Sequence, residues 1–102
     1  MKIVKITDKE VEIYNSETGG RIRSIGPKGA VDAALSSDEK LIVITYENGS
    51  AQIYNVETNA HRATPAKSKA VRASFQGDRV LVTLENGKVE LRSQDGGHIT
   101  TY

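Results

Sequence analysis

Two histidines, His61 and His98, are the residues best suited to proton-transfer or metal chemistry. Each opens a short polar segment. No cysteine is present, and no acidic residue stands at ligand spacing from either, so a zinc site is not specified. Ser, His and Asp all occur, but the strand-turn-helix elbow that exposes a nucleophilic serine does not. Gly26-Pro27-Lys28-Gly29 has the glycines and the lysine of a phosphate-cradling loop. It lacks the following Gly-Lys-Ser/Thr, and the next segment reads as a strand, not as the helix whose N-terminus would hold the anion. A tight turn accounts for these residues fully. Asn48-Gly49-Ser50 fits the glycosylation pattern and reads equally well as a hairpin turn. The sequence therefore specifies no catalytic residue, no metal site and no cofactor.

What is left is a set of charges. Lys28, Lys67 and Lys69 fall in connecting segments, and Asp32 and Arg72 occupy matching positions in two strands. Gathered on one face or around a channel, they would attract an anionic ligand or pair with one another. Glu47 and Glu85 fall on neighbouring turns, so a solvated face of mixed charge is the simpler expectation.

The segments that must position these charges repeat. Ile13-Tyr14-Asn15 with Glu17-Thr18 returns as Ile53-Tyr54-Asn55 with Glu57-Thr58, and more weakly as Leu91-Arg92-Ser93. Ala30-Val31-Asp32-Ala33-Ala34-Leu35 matches Ala70-Val71-Arg72-Ala73-Ser74-Phe75. Leu41 to Tyr46 and Val80 to Leu84 are nearly continuous apolar runs, each followed by Glu-Asn-Gly. Apolar runs of that length suit strands buried on both faces. Asn-Gly suits a two-residue hairpin turn with positive φ. No window has helical periodicity. The chain reads as all-β, with strands near 2–7, 10–15, 21–25, 30–35, 41–46, 51–55, 61–64, 70–75, 80–84, 88–92 and 98–102.

Composition agrees. Apolar residues make up 37% of the 102 residues and charged residues 26%, an ordinary globular balance in one domain. Fourteen Lys and Arg against thirteen Asp and Glu give a net charge of +1, without the basic excess of a dedicated nucleic-acid binder. No run is long enough to cross a membrane as a helix. Met1 to Thr7 lacks the apolar core of a signal peptide, which makes the cytoplasm the expected location.

Each unit orders its strands as small-residue, apolar, alternating and polar. That gradient suits a radial blade, crowded at its axis and wet at its rim. Ile-Tyr-Asn followed by Glu-Thr and a Gly resembles the blade signature of the WD-repeat β-propeller family. Tyr14, Tyr54 and Arg92 stand at that family's Trp, and Asn15, Asn55 and Ser93 at its Asp. Lys28-Gly29 and Ser68-Lys69 stand where it has Gly-His. The chain also resembles short bacterial proteins with blade-like repeats. The resemblance implies about three four-stranded blades, in units near 1–25, 26–65 and 66–102, the first lacking its innermost strand. It further implies a non-enzymatic module that binds protein partners through its loops. The alternative is a small-ligand protein, for a sugar or an anion, with sites between blades or at the channel. Three blades would leave two apolar faces open, so a homodimer closing a six-bladed ring is expected.

Overall fold

The computed structural model describes residues 1–102. The chain contains eleven strands and no helix. β1 (Lys2–Thr7), β2 (Glu10–Asn15) and β3 (Arg21–Ile25) form an N-terminal sheet. β4 (Ala30–Leu35), β5 (Leu41–Tyr46), β6 (Ala51–Asn55) and β7 (His61–Ala66) form a middle sheet in that order. β8 (Ala70–Gln76), β9 (Arg79–Leu84), β10 (Val89–Ser93) and β11 (His98–Thr101) form a C-terminal sheet. Every pairing is antiparallel between chain neighbours. Pro65 falls within β7, an edge strand, where its missing N–H costs no ladder bond.

The sheets stack face to face, with β1 beside β4 and β4 beside β8. Two cores fill the junctions. Val11, Ile13, Ile25, Ile42, Ile44 and Tyr46 meet between the N-terminal and middle sheets. Leu41, Val43, Ile53, Ala73, Val80 and Val82 meet between the middle and C-terminal sheets. All six residues of β5 are buried, because its even and odd side chains enter different cores. The strands that lie close together carry the small residues: Ala30, Ala70 and Ala73 are buried there.

The repeated Asn-Thr segments close the loops between β2 and β3 and between β6 and β7. Asn15 Oδ1 accepts from the amides of Glu17 and Thr18, and Asn55 Oδ1 from those of Glu57 and Thr58. Thr18 and Thr58 then accept from the amides of Gly20 and Ala60. The motif that marks the repeat is thus spent on its own backbone, as Asn in a turn commonly is.

The hairpin turns depart from expectation. Asn48-Gly49 and Asn86-Gly87 are not two-residue turns, for only the glycines have positive φ. Gly49 N donates to Tyr46 O and Tyr46 N to Ser50 O, which makes Glu47-Asn48-Gly49 a three-residue loop. A type I turn closed by one left-handed glycine has this pattern. The Asn side chains explain the choice: Asn48 and Asn86 accept from the amides of Ser50 and Lys88 instead of turning left-handed themselves. The two-residue turn lies elsewhere, at Asp8-Lys9, where both residues have positive φ and Thr7 faces Glu10.

Gly49 and Gly87 share this backbone, at φ 85° and 86°, but differ in surroundings. A Cβ on Gly49 would clash with the backbone nitrogen of Lys69, whereas one on Gly87 would meet nothing within 4 Å. Gly87→Ala is expected to lower stability by about 1 kcal/mol through backbone strain alone. Gly49→Ala must also displace a backbone and is expected to cost at least about 2 kcal/mol. Urea unfolding of both variants measures the difference, and equal losses would contradict the contact.

Candidate functional site

The hairpin turns and the loops entering β4 and β8 share one side of the stack. Gly29 N and Ala30 N donate to Lys9 O, and Glu47 N donates to Gly29 O. One unit later, Ala70 N donates to Gly49 O and Glu85 N to Lys69 O. Each turn is thus tied to the next connection by main-chain bonds, and these connections carry the lysines. Lys28 lines a cleft of about 200 Å³ with Gly29, Tyr46, Glu47 and Gln52 at the first junction. Lys67 and Lys69 line a second, of about 460 Å³, with Leu84, Glu90 and Arg92.

The five charges are therefore divided. Lys67 and Lys69 share one cleft and Lys28 stands in the other. Asp32 and Arg72 line neither. They lie opposite Thr45 and Thr83 in consecutive sheets, on the same face of each, which separates them by a sheet. No ion pair joins them within the chain; the four present are Lys9–Glu47, Arg21–Glu12, Arg62–Asp95 and Arg92–Glu90.

His61 and His98 are spent locally. Each Nε2 is hydrogen-bonded to a threonine three residues on, Thr64 at 2.9 Å and Thr101 at 2.7 Å. Arg21 bonds Ser24 in the corresponding place. At all three outer strands the contact spans a register shift against the neighbouring strand. No cluster of three or more His, Asp or Glu side chains is placed to hold a metal ion.

A second recurrence was not singled out from the sequence. On β2, β6 and β10, two polar residues at i and i+2 bond across one sheet face, which for β6 and β10 is turned toward the preceding sheet. Tyr14 Oη donates to Glu12 at 3.4 Å, Tyr54 Oη to Gln52 at 2.6 Å, and Arg92 Nε to Glu90 at 3.0 Å. Arg92 also donates to Gly96 O, closing its loop. The alternation was visible in the sequence, but nothing there said that both members point one way into a junction. The Gln52 and Glu90 pairs border the two clefts. The Glu12 pair lies on the outer face of the N-terminal sheet, where Arg21 joins it at 3.4 Å.

That outer face corrects the expectation of two apolar surfaces. Register places Lys5 opposite Glu12, as Ile44 is opposite Gln52, so a lysine replaces a core isoleucine. Ile3, opposite Tyr14, remains 51% exposed. The outer face of the C-terminal sheet is more apolar. Leu81 pairs with Leu91, and Thr83 with Val89, in the places where Val43 pairs with Ile53 and Thr45 with Ala51 at a buried junction.

Tyr46 is buried at the first junction, and its hydroxyl has no hydrogen-bond partner. Burial pushes the phenol well above its ordinary value, and the neighbouring Tyr54 hydroxyl adds to the shift. Removing an unsatisfied group is expected to help, so Tyr46→Phe should stabilise the chain by up to about 1 kcal/mol. The native state also keeps a proton that the unfolded chain releases near pH 10.0, so this contribution is lost as pH rises beyond that point. Denaturation between neutral and strongly alkaline pH checks both: Tyr46→Phe should weaken the alkaline decline.

No protein-family model matches the sequence, and no curated protein matches it. Solved structures do. One titled "Structure of U3-55K" superposes with a TM-score of 0.81 over 99% of this chain, at 16% identity. Another, "Crystal structure of RRP9 WD40 repeats", gives 0.80 over 98% at 16% identity. The chain spans about a third of each of those chains, 35% and 34%. With its repeats and its three stacked antiparallel sheets, this likeness shows that the chain is built from WD-repeat-like blades.

Proposed function

We propose that the chain is a non-enzymatic protein-interaction module of about three blades, in units near 1–25, 26–65 and 66–102. The first unit lacks an innermost strand. The module works through its two outer blade faces, and in the 102-residue chain a second copy covers them, two chains closing a ring of about six blades. One observation carries this reading: apart from Lys5 in the place of Ile44, the outer faces repeat the pattern of the faces buried within the chain. Leu81, Thr83, Val89 and Leu91 reproduce Val43, Thr45, Ala51 and Ile53. The Glu12–Tyr14 pair reproduces the junction pairs Gln52–Tyr54 and Glu90–Arg92.

The match is head to tail, the C-terminal sheet of one copy meeting the N-terminal sheet of the next. Covering a leucine fully contributes about 1.5–3 kcal/mol before the cost of association. Light scattering at micromolar concentration is expected to give about twice the 11.1 kDa chain mass. Leu91→Glu should return it to one chain mass while the far-ultraviolet spectrum stays native. A wild-type chain that remains at 11.1 kDa would overturn the self-association.

A second reading has one observation in its favour, the clefts at equivalent places in both junctions. A sugar or small anion bound between blades would need similar linings there. Tyr46 and Gln52 in one cleft face Leu84, Glu90 and Arg92 in the other, so the interaction reading is preferred.

A further inference from the structure

We infer that the inner edge of β1 is an acceptor for an extended strand from a partner polypeptide, of the small-residue kind that β4 and β8 exemplify. This deepens the interaction-module reading and rests on it.

The registers of the three sheets coincide. Ser16 N donates to Met1 O as Val56 N donates to Lys40 O, so β1 and β2 are set like β5 and β6. Met1 O points to β2; the amides and carbonyls of Lys2, Val4 and Ile6 therefore point the other way, since direction alternates along a strand. In the middle sheet the corresponding direction leads to β4: Ser36 N donates to Leu41 O, and Ala34 lies opposite Val43. In the N-terminal sheet β1 is the edge and pairs with β2 alone. Its backbone there is an unpaired template.

Side chains describe the occupant. Lys2 N, the first amide of that edge, is held by Glu39 Oε2 at 2.9 Å. Its counterpart Leu41 N is held by Ser36 Oγ, from the end of the innermost strand. A carboxylate from the next sheet thus stands in for a strand. Ile42 and Val80 are fully buried, and each faces a large apolar residue of the innermost strand, Leu35 and Phe75. Ile3 holds their position and is 51% exposed. An added strand with a large apolar residue opposite Ile3 would cover it. Its central residues must be small, because β4 would lie against it as β8 lies against β4, where Ala34 and Ala73 are packed.

Within the 102 residues, both segments of this pattern are already engaged, as β4 and β8. The last strand, β11, has the sequence His-Ile-Thr-Thr and is paired with β10. A second copy of these residues offers no free segment of this kind, and the strand we assign to the edge is one from outside them, offered by a partner. Main-chain bonds would supply affinity and the alternate side chains specificity.

The test uses a labelled synthetic peptide with the sequence of residues 69–76, added to the intact chain. Saturable binding is expected, with the amides of Val4 and Ile6 becoming protected from hydrogen exchange. Those of Ile3 and Lys5, bonded to β2, should be protected throughout. Val4→Pro removes a donor on the open edge only and should weaken binding roughly tenfold or more. Should that variant fold poorly, methylation of the peptide backbone on the wild-type chain serves instead. A methyl on the nitrogen of the serine should abolish binding, and one on the preceding alanine should spare it. No binding, or protection elsewhere than Val4 and Ile6, overturns the inference. Protection of those two amides in the free chain overturns it too, because a second copy would then fill the edge. Light scattering on the same samples reports self-association separately, so a dimer that ignores the peptide defeats this inference alone.

Discussion

A sheet whose central strand is apolar on both faces must be covered twice. β5 sets this condition: Leu41 and Val43 enter one core, Ile42, Ile44 and Tyr46 the other, and every residue of the strand is buried. Stacking a sheet on each side satisfies it. Everything else in the molecule either builds those covering sheets or fixes their spacing. The alanines of β4 and β8 let neighbouring innermost strands approach, while the polar outer strands spread toward solvent. A radial array is the shape that this taper produces.

The spacing is fixed by backbone as well as by packing. The bonds from Ala30 N to Lys9 O and from Ala70 N to Gly49 O tie each hairpin turn to the following connection at the same height. Gly49 has no room for a side chain because a backbone is docked against it. Gly87 adopts the same conformation with nothing docked. The same contrast holds between Ile42, which is buried, and Ile3, which is half exposed. Positions at the two ends of the stack thus keep the form of a junction without a neighbour, and this supports the interaction reading.

Much of the fold was legible because its signals are local. Continuous apolar runs marked β5 and β9, and recurring Ile-Tyr-Asn and Glu-Asn-Gly segments marked the unit. What could not be read depended on direction. The Asn-Gly dipeptides suggested two-residue turns, but the Asn side chains captured the next amides and selected a longer loop. Register alone shows that Lys5 holds the place of the core residue Ile44. Asp32 and Arg72 matched in sequence, and that match is why they do not meet, since equivalent residues of stacked sheets point the same way. The lysines were found, but Glu90 and Arg92, which share the larger cleft with two of them, were not.

The central claim is that the end faces are junction faces, covered in solution by another copy. Small-angle X-ray scattering tests it directly, because a single chain has a well-defined size. Its radius of gyration is 12.9 Å, and its longest dimension is 40 Å. Two chains joined head to tail into a ring should give a radius well above 12.9 Å and twice the scattering mass of one chain. A profile that fits one chain at 12.9 Å across the accessible concentration range would contradict the claim.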